Sequence, residues 1–362
     1  MRDYTLKRLR DTVHGLSAGI TRPNDAWLLE GSEVSSGEPL RVLYVGSQIQ
    51  KNYIAHLAFG AERDETAVGG QYLWGVRGSV KENSRGCSLA VIECHRRQRR
   101  LCEDRGDFFV PQWLCGEAQL PLQARSSSAK EDVRRIRRSD LHFVVTRELD
   151  ELDRFYHCMY LPHVTERHQD RAIAMGYDHM MGAARRGACE LLLVKKGDES
   201  VAGMVMRMEG QLPRLWSQGL KDGNRTYLKY GALAATWYFA SQHLRDQGFK
   251  RMHMGLSRAF LSDGVLRYKA KWGTRVRYCL PMGFVMKLLS PSRGLKSFLL
   301  TNPFAYLDKG QLWGAVFIED SEQACGDNLE RLWGQYHVAG LSGLRVYGCS
   351  DTAVRLLDTI VP

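Results

Sequence analysis

Gly255-Leu-Ser-Arg-Ala-Phe-Leu-Ser-Asp-Gly-Val-Leu-Arg-Tyr-Lys-Ala-Lys-Trp-Gly273 is the stretch on which the reading of this chain turns. Gly255 ends an apolar, strand-like run from Phe249 to Met254. Asp263 stands where an N-cap residue accepts the first free N–H groups of a helix, and Gly273 stands where such a helix stops. A short helix over Val265 to Lys271 therefore follows a strand end, and it carries Tyr268, Lys269 and Trp272. Segments just past strand ends are where function concentrates.

Working upstream, His142 to Thr146 reads as a strand, and Asp150 to Tyr160 as a helix with Leu152, Phe155, Tyr156 and Met159 on one face, stopped by Pro162. A second helix over Ala172 to Arg186 is closed by Gly187. Cys189 to Lys195, Val201 to Met208 and Leu215 to Leu220 read as three strands joined by Gly197-Asp198 and Gly210. Tyr230 to Gln247 has helical spacing in Leu233, Trp237, Ala240 and Leu244, with Gly248 in the C′ position. Downstream, Arg275 to Lys287 is strand-like. This order predicts an α+β arrangement, a mixed and largely antiparallel sheet flanked by helices.

Further α/β segments are expected on both sides. Leu40 to Gly46 is a strand ended by glycine and followed by a helix through Ile49, Tyr53, Ile54 and Leu57, and Ser88 to Glu93 is a further strand. Ala124 to Lys130 reads as a linker and Lys130 to Arg138 as a polar helical turn, which sets a boundary near residue 140. From Ser290 the expectation is a strand at Leu312 to Ile318, a helix at Asn328 to Tyr336, a strand at Leu344 to Tyr347 and a last helix. The resulting division is 1–140, 141–289 and 290–362, with no internal repeat visible in the residues.

Of 362 residues, 44% are hydrophobic and 25% charged, which excludes a disordered or fibrous chain. No apolar run approaches the ~18–20 residues of a membrane span, and the first residues lack the apolar core of a secretory signal, so the cytoplasm is the expected location. Nine cysteines are too sparse for a disulfide framework, and Cys87, Cys94, Cys102 and Cys115 match no zinc spacing, so no metal is expected. The formal charge is +11, and Lys250 to Lys296 holds eleven basic residues against the single acid Asp263. That density suggests a phosphate-rich ligand, an RNA backbone or an anionic lipid surface. A second cluster, Arg96-Arg97-Gln98-Arg99-Arg100, is offset by Glu103, Asp104 and Asp107 and reads as an exposed helix face. Phe284 to Leu289 and Gly294 to Leu300 are basic and apolar together, as a membrane-surface element would be, or as core packing would be.

Over about residues 141 to 287 the succession resembles the GNAT acyltransferase superfamily, and within it the Fem-type branch of acyl-CoA-dependent acyltransferases and aminoacyl-tRNA-dependent enzymes that extend peptidoglycan peptides. The most specific part is Asp263-Gly264 followed by Tyr268-Lys269 and Trp272-Gly273, similar to the branch's aromatic-Lys-x-x-aromatic-Gly segment. Fem-type chains often carry two GNAT-like halves; residues 1–140 show no matching pattern, though they have room for a degenerate half. GNATs cradle a CoA pyrophosphate on a glycine-rich, basic loop entering a helix. Here Gly223 to Ala232 keeps Arg225, Lys229 and Gly231 without the full glycine set. The resemblance implies donor binding at Gln218, Arg225, Lys229, Gly231 and Ala232.

Acyl transfer to an amine needs a neutral amine, donors aimed at the developing oxyanion and a proton for the leaving group. Lys269 suits the oxyanion, as a point charge between Tyr268 and Trp272, or else belongs to the basic face. Tyr268 suits protonation of a thiolate, or else is a core aromatic. His163, and His168 beside it, suit a base that titrates near neutral pH. Tyr160, Arg167, Ser257, Arg258 and Asp263 are the substrate-binding candidates, with Arg258 able to grip a phosphate or carboxylate. The function expected is an N-acyltransferase using acyl-CoA as co-substrate in a ternary complex with a small-molecule or peptide amine. The alternative is an aminoacyl-tRNA-dependent transferase, and a third reading is a noncatalytic nucleic-acid-binding protein. Oligomeric state has no signature.

Overall fold

The computed structural model describes residues 23–83, 86–124, 126–168, 175–208, 210–319 and 326–362, with the side chains of residues 79, 81, 83, 167 and 168 outside that description. Its strands in chain order are β1 (Asn24–Ser32), β2 (Pro39–Val45), β3 (Asp64–Gln71), β4 (Leu89–His95), β5 (Phe108–Pro111), β6 (Leu114–Gln119), β7 (Leu141–Thr146), β8 (Cys189–Lys196), β9 (Glu199–Arg207), β10 (Arg214–Leu220), β11 (Arg251–Ser257), β12 (Arg275–Tyr278), β13 (Met282–Leu288), β14 (Phe304–Asp308), β15 (Gln311–Glu319), β16 (Leu344–Cys349) and β17 (Val354–Ile360). They form a six-stranded sheet β3-β1-β2-β4-β13-β5, a seven-stranded sheet β12-β6-β11-β10-β9-β8-β7 and a four-stranded sheet β14-β15-β16-β17. Helices flank these mixed, largely antiparallel sheets, as the α+β expectation has it. Two compact units divide the chain, one of residues 1–114, 257–267 and 277–362, the other of residues 115–256 and 268–276.

In the second unit, β7, β8, β9 and β10 pair antiparallel in sequence order. Their alternate side chains face opposite ways, as the pleat requires. Leu192, Val194, Met204 and Met206 pack with Ala235, Trp237 and Leu244 of the helix Ala232–Asp246. Leu191, Leu193 and Val205 pack on the other face with Leu152, Phe155, Met159 and Met180. Gly203 makes the second layer fit, since a Cβ there would lie 2.7 Å from the Phe155 ring.

The first unit shares the central part of this arrangement but not its order of connections, since β3 follows β2 in the chain and pairs on the far side of β1. β2 and β4 are its central parallel pair, β13 lies next to β4, and β5 is the edge. In the seven-stranded sheet the corresponding order is β10 and β11 parallel, then β6, then the edge strand β12. β6 follows β5 in the chain yet belongs to the seven-stranded sheet, and β13 follows β12 yet belongs to the six-stranded one. The likeness lies in that central pairing: Pro39-Leu-Arg-Val-Leu-Tyr-Val45 and Arg214-Leu-Trp-Ser-Gln-Gly-Leu220 share no residue pattern.

Several local expectations are corrected. Pro162 does not stop its helix, because the chain runs from Leu149–Phe155 through a π-helical turn, Tyr156–Tyr160, into Leu161–His168. An interior proline removes one helical hydrogen bond and crowds the carbonyl four residues back, and here the widened π-helical turn directly precedes it. The helix expected over Lys130 to Arg138 begins earlier, at Ser127, inside the presumed linker, and is capped by the Ser126 hydroxyl accepting from Ala129 N–H at 3.1 Å. Arg275 to Lys287 is two strands in two sheets, and the last element is the strand β17, not a helix. The basic block from Lys250 to Lys296 is not one face. Arg251 pairs with Glu117, Lys271 with Asp132, Lys287 with Asp104 and Asp107, and Lys296 with Glu319 and Asp351. The apolar residues of β13 and of the helix Arg293–Thr301, including Leu295, Phe298 and Leu299, are buried in the first unit. Among the described residues no helix is long and apolar enough to cross a membrane.

Glu190, at the start of β8, accepts from Arg147 at 2.7 Å, bonds His243 Nε2 at 2.8 Å and receives Gln247 at 3.3 Å. The His243 bond, with Arg147 and Gln247 adding to it against the opposing effect of burial, lowers its carboxyl from the ordinary value to about 2. A depressed carboxylate contributes stability above its unfolded pKa and loses it as pH falls through the folded one. Stability measured by urea unfolding should therefore fall as pH drops from about 4.5 toward 2. Glu190→Gln should flatten that slope.

Candidate active site

Two parallel strands can stay zipped or open, and the two units differ in which they do. β10 and β11 share one paired position, Arg214 with His253, and their ladder stops there while both strands run on toward their C-terminal ends. Open parallel sheets bind ligands outside such strand ends. A bulge between Leu215 and Ser217 sets off the opening half of β10. The bulged Trp216 lies against Arg207, 5.1 Å from its guanidinium, and edge-on to His179.

On the β11 side, Gly255 adopts φ +77°, a conformation that strongly favours glycine, and donates its N–H to His253 Nδ1 at 2.8 Å. Lys269 is 4% exposed, and its Nζ donates to the Leu256 carbonyl at 2.6 Å. A Cβ on Gly255 would lie 3.5 Å from that Nζ. The helix Gly264–Lys271 that presents Lys269 is capped as expected, with Asp263 Oδ1 accepting from Leu266 N–H at 2.8 Å. Trp272 Nε1 and Thr274 Oγ1 follow Lys269 in the chain, both buried with no hydrogen-bond partner among the described residues. Such atoms cost about 1–3 kcal/mol each.

On the β10 side, Gln218 accepts from Trp237 Nε1, and Trp237 meets Tyr268 edge-on at 5.4 Å. The line Gln218, Trp237, Tyr268, Lys269 thus joins β10 to the Lys269 helix. Gly219 and Gly223 let the helical segment Leu149–His168 lie over the end of β10: a Cβ on Gly219 would be 2.4 Å from the Met159 carbonyl carbon, and one on Gly223 would be 3.0 Å from the Pro162 oxygen. This seats buried His163 by the Gly223 turn. Tyr160 has a structural task, its hydroxyl accepting Met175 N–H at 2.7 Å. Arg167 and His168 end that segment with side chains outside the described residues.

The expected donor loop takes a different form. Arg225 is exposed and 4.0 Å from Glu166, and Lys229 and Lys196 lie over the Tyr230 ring at 5.1 and 4.0 Å. Gly231, at φ +79°, precedes buried Ala232 at the start of the helix Ala232–Asp246. The helix Ser127–Arg138 packs over that start. A Cβ on Gly231 would lie 3.4 Å from Arg135 and Ile136 side-chain carbons and 3.6 Å from the Asp132 carbonyl oxygen. A carbonyl there opposes the approach of a pyrophosphate.

Ser257, Arg258 and Asp263 fall in the first unit. Ser257 Oγ is buried without a hydrogen-bond partner among the described residues. Arg258 is clamped between the Tyr53 and Trp113 rings, each 3.9 Å away, and donates to Gln50 Oε1 at 2.7 Å. Burial lowers its pKa and raises that of Tyr53.

The equivalent opening in the first unit is sealed. β2 and β4 pair at four positions, Val42 with Leu89 through Val45 with Ile92. Glu93 then folds over the end of β2: its Oε2 accepts the Ser47 N–H and hydroxyl, each at 2.7 Å, and the Tyr44 hydroxyl at 3.1 Å, while Oε1 accepts Gln112 at 2.7 Å. This internal carboxylate sits at the start of the helix Gln48–Phe59, where an anion is favoured. Gly46 admits it, since a Cβ there would be 2.5 Å from that of Glu93. Sequence reasoning missed Glu93, Trp237, Gly219 and Gly255 as site-shaping residues. Only the strand-ending Gly255 carried a readable signal.

No protein-family model and no curated protein matches the sequence. Among solved structures, L-PGS from Bacillus licheniformis is similar at 12% identity over 76% of this chain and 85% of that one, with a TM-score of 0.36. FemX is similar at 12% identity over 71% and 83%, with a TM-score of 0.37. A GCN5-related N-acetyltransferase from Kribbella flavida is similar at 9% identity over 93% and 69%, with a TM-score of 0.29.

Gly219→Ala forces a Cβ into the Met159 backbone and should destabilise the second unit by about 1–3 kcal/mol. Thermal unfolding checks it, and an unchanged midpoint would show that the segment does not press on β10.

Proposed function

We propose that the second unit transfers an acyl group to an amine acceptor at the opening between β10 and β11. The observation that carries the reading is a parallel pair whose ladder stops after one paired residue, with the buried Lys269 ammonium at its edge. An amine attacks the acyl carbonyl carbon there, a C–N bond forms, and the carbonyl electrons move onto oxygen. The Lys269 ammonium, held beside the Leu256 carbonyl, stabilises that oxyanion. Collapse breaks the bond to the leaving sulfur or oxygen, which takes up a proton. His163, by the end of β10, accepts the proton the amine loses. Gln218 and Trp237 fix the wall of the opening.

The cover over Gly231 favours a donor whose phosphates do not rest on that helix start, and so an aminoacyl ester on tRNA over acyl-CoA. Exposed Arg134, Arg138 and Arg225 on the same unit suit sequence-independent contact with an RNA backbone. The acceptor in this reading is a small molecule or a peptide with a free amine.

The test supplies acetyl-CoA or charged tRNA with hydroxylamine as a surrogate amine. Charged tRNA should be consumed with hydroxamate formed, and Lys269→Met should lower kcat about 10²–10³-fold in a protein that circular dichroism shows still folded. Consumption of acetyl-CoA instead, with the same Lys269 dependence, would reverse the donor assignment. No Lys269-dependent product from either donor would end the transferase reading. Tyr268 packs on Trp237, with Lys271 Nζ 4.3 Å over its ring, so Tyr268→Phe should keep the rate within about twofold.

A further inference from the structure

The arginine-rich run after β4 is not a helix face. Arg96 and Arg97 follow the strand in a turn, and Arg99 and Arg100 lie in a single 3₁₀ turn, Arg99–Leu101. Their four side chains line a pocket of about 390 Å³ in the first unit.

Two of the three acids that offset this run in the sequence are engaged elsewhere. Asp104 and Asp107 both bind Lys287, which is 4% exposed, and Asp104 also faces Arg77 at 3.5 Å. Glu103 pairs with Arg99 at 3.2 Å. Arg96, Arg97 and Arg100 have no carboxylate within 4 Å among the described residues. Burial of Lys287 thus draws the local negative charge inward and leaves three guanidinium groups uncompensated around one cavity. Under Arg96, 5.3 Å from its guanidinium, lies the Tyr278 ring, whose buried hydroxyl has no hydrogen-bond partner among the described residues. His95, 3% exposed, accepts the Arg97 N–H on Nδ1 at 3.1 Å, which places its own proton on Nε2, again a buried atom with no partner.

Guanidinium groups match phosphate oxygens in bidentate geometry, and several around one cavity match several linked phosphates better than one. A volume of about 390 Å³ lies within the range of small-ligand pockets. The arginines sit within five consecutive residues, a compact cup and not the extended stripe that follows a nucleic-acid backbone. We infer that this pocket of the first unit binds an oligophosphate, two or three linked phosphates free or carried by a nucleotide.

Calorimetric titration of the full chain with inorganic tripolyphosphate tests the inference, with adenosine triphosphate as a second arm. Saturable one-to-one binding is expected. Arg97→Ala with Arg100→Ala should weaken it at least about tenfold, because charge-assisted hydrogen bonds are lost. These side chains are exposed and unpaired, so the double variant should keep its melting temperature. Arg134→Ala with Arg138→Ala, on the helix Ser127–Arg138, should leave binding unchanged. Equal affinity for the two probes points to a free phosphate chain, and tighter binding of the nucleotide to a nucleotide-borne one. No saturable binding, or binding untouched by the Arg97 and Arg100 substitutions, would overturn the site. So would a single-stranded RNA 20-mer that outcompetes tripolyphosphate phosphate for phosphate.

Discussion

The second unit is organised by the pairing of β10 with β11, which begins at Arg214 and His253 and goes no further. A parallel pair whose ladder stops leaves backbone groups facing a gap, and such groups must find partners or be solvated. Here Lys269 Nζ takes the Leu256 carbonyl, and Gly255 N–H turns back on His253. Holding that ammonium in place requires the capped helix Gly264–Lys271, the left-handed Gly255 and the Trp237 and Tyr268 packing. The opening and the positive charge at its edge are consequences of one interrupted ladder.

The first unit also has a central parallel pair, β2 with β4, and resolves the same problem differently. Its parallel pair runs four positions, and Glu93 supplies an internal anion to the helix start that follows β2. A carboxylate with partners on both oxygens is costly to displace. Two central parallel pairs thus end differently, one in an open crevice and one sealed by side chains at the strand ends.

Much of the second unit was legible in the sequence. Cys189 to Lys195 and Val201 to Met208 are short apolar runs bounded by turn residues, as strands buried on both faces require, and Asp263 announced its helix. The capping of that helix put Lys269 on a structured element before any coordinates. What sequence reading could not supply was long-range: β6 and β13 are assigned to sheets by partners more than a hundred residues away. The basic block misled for the same reason. Asp104, Asp132 and Glu319, which engage Lys287, Lys271 and Lys296, lie outside it in the sequence, so a local sum overstated its charge. The arginines after β4 erred the other way, because their neighbouring acids face Lys287.

The claim that one unit is open and the other sealed is tested most directly by amide hydrogen exchange with and without an unreactive donor analogue. The probes are an amide-linked aminoacyl-tRNA and a thioether analogue of acetyl-CoA, each at saturation. The account predicts slowed exchange at residues 217–220 and 253–257 with one of them, and no change at residues 44–47 and 91–95 with either. Protection at the Glu93 end of β4, or none at β10 and β11, would contradict it.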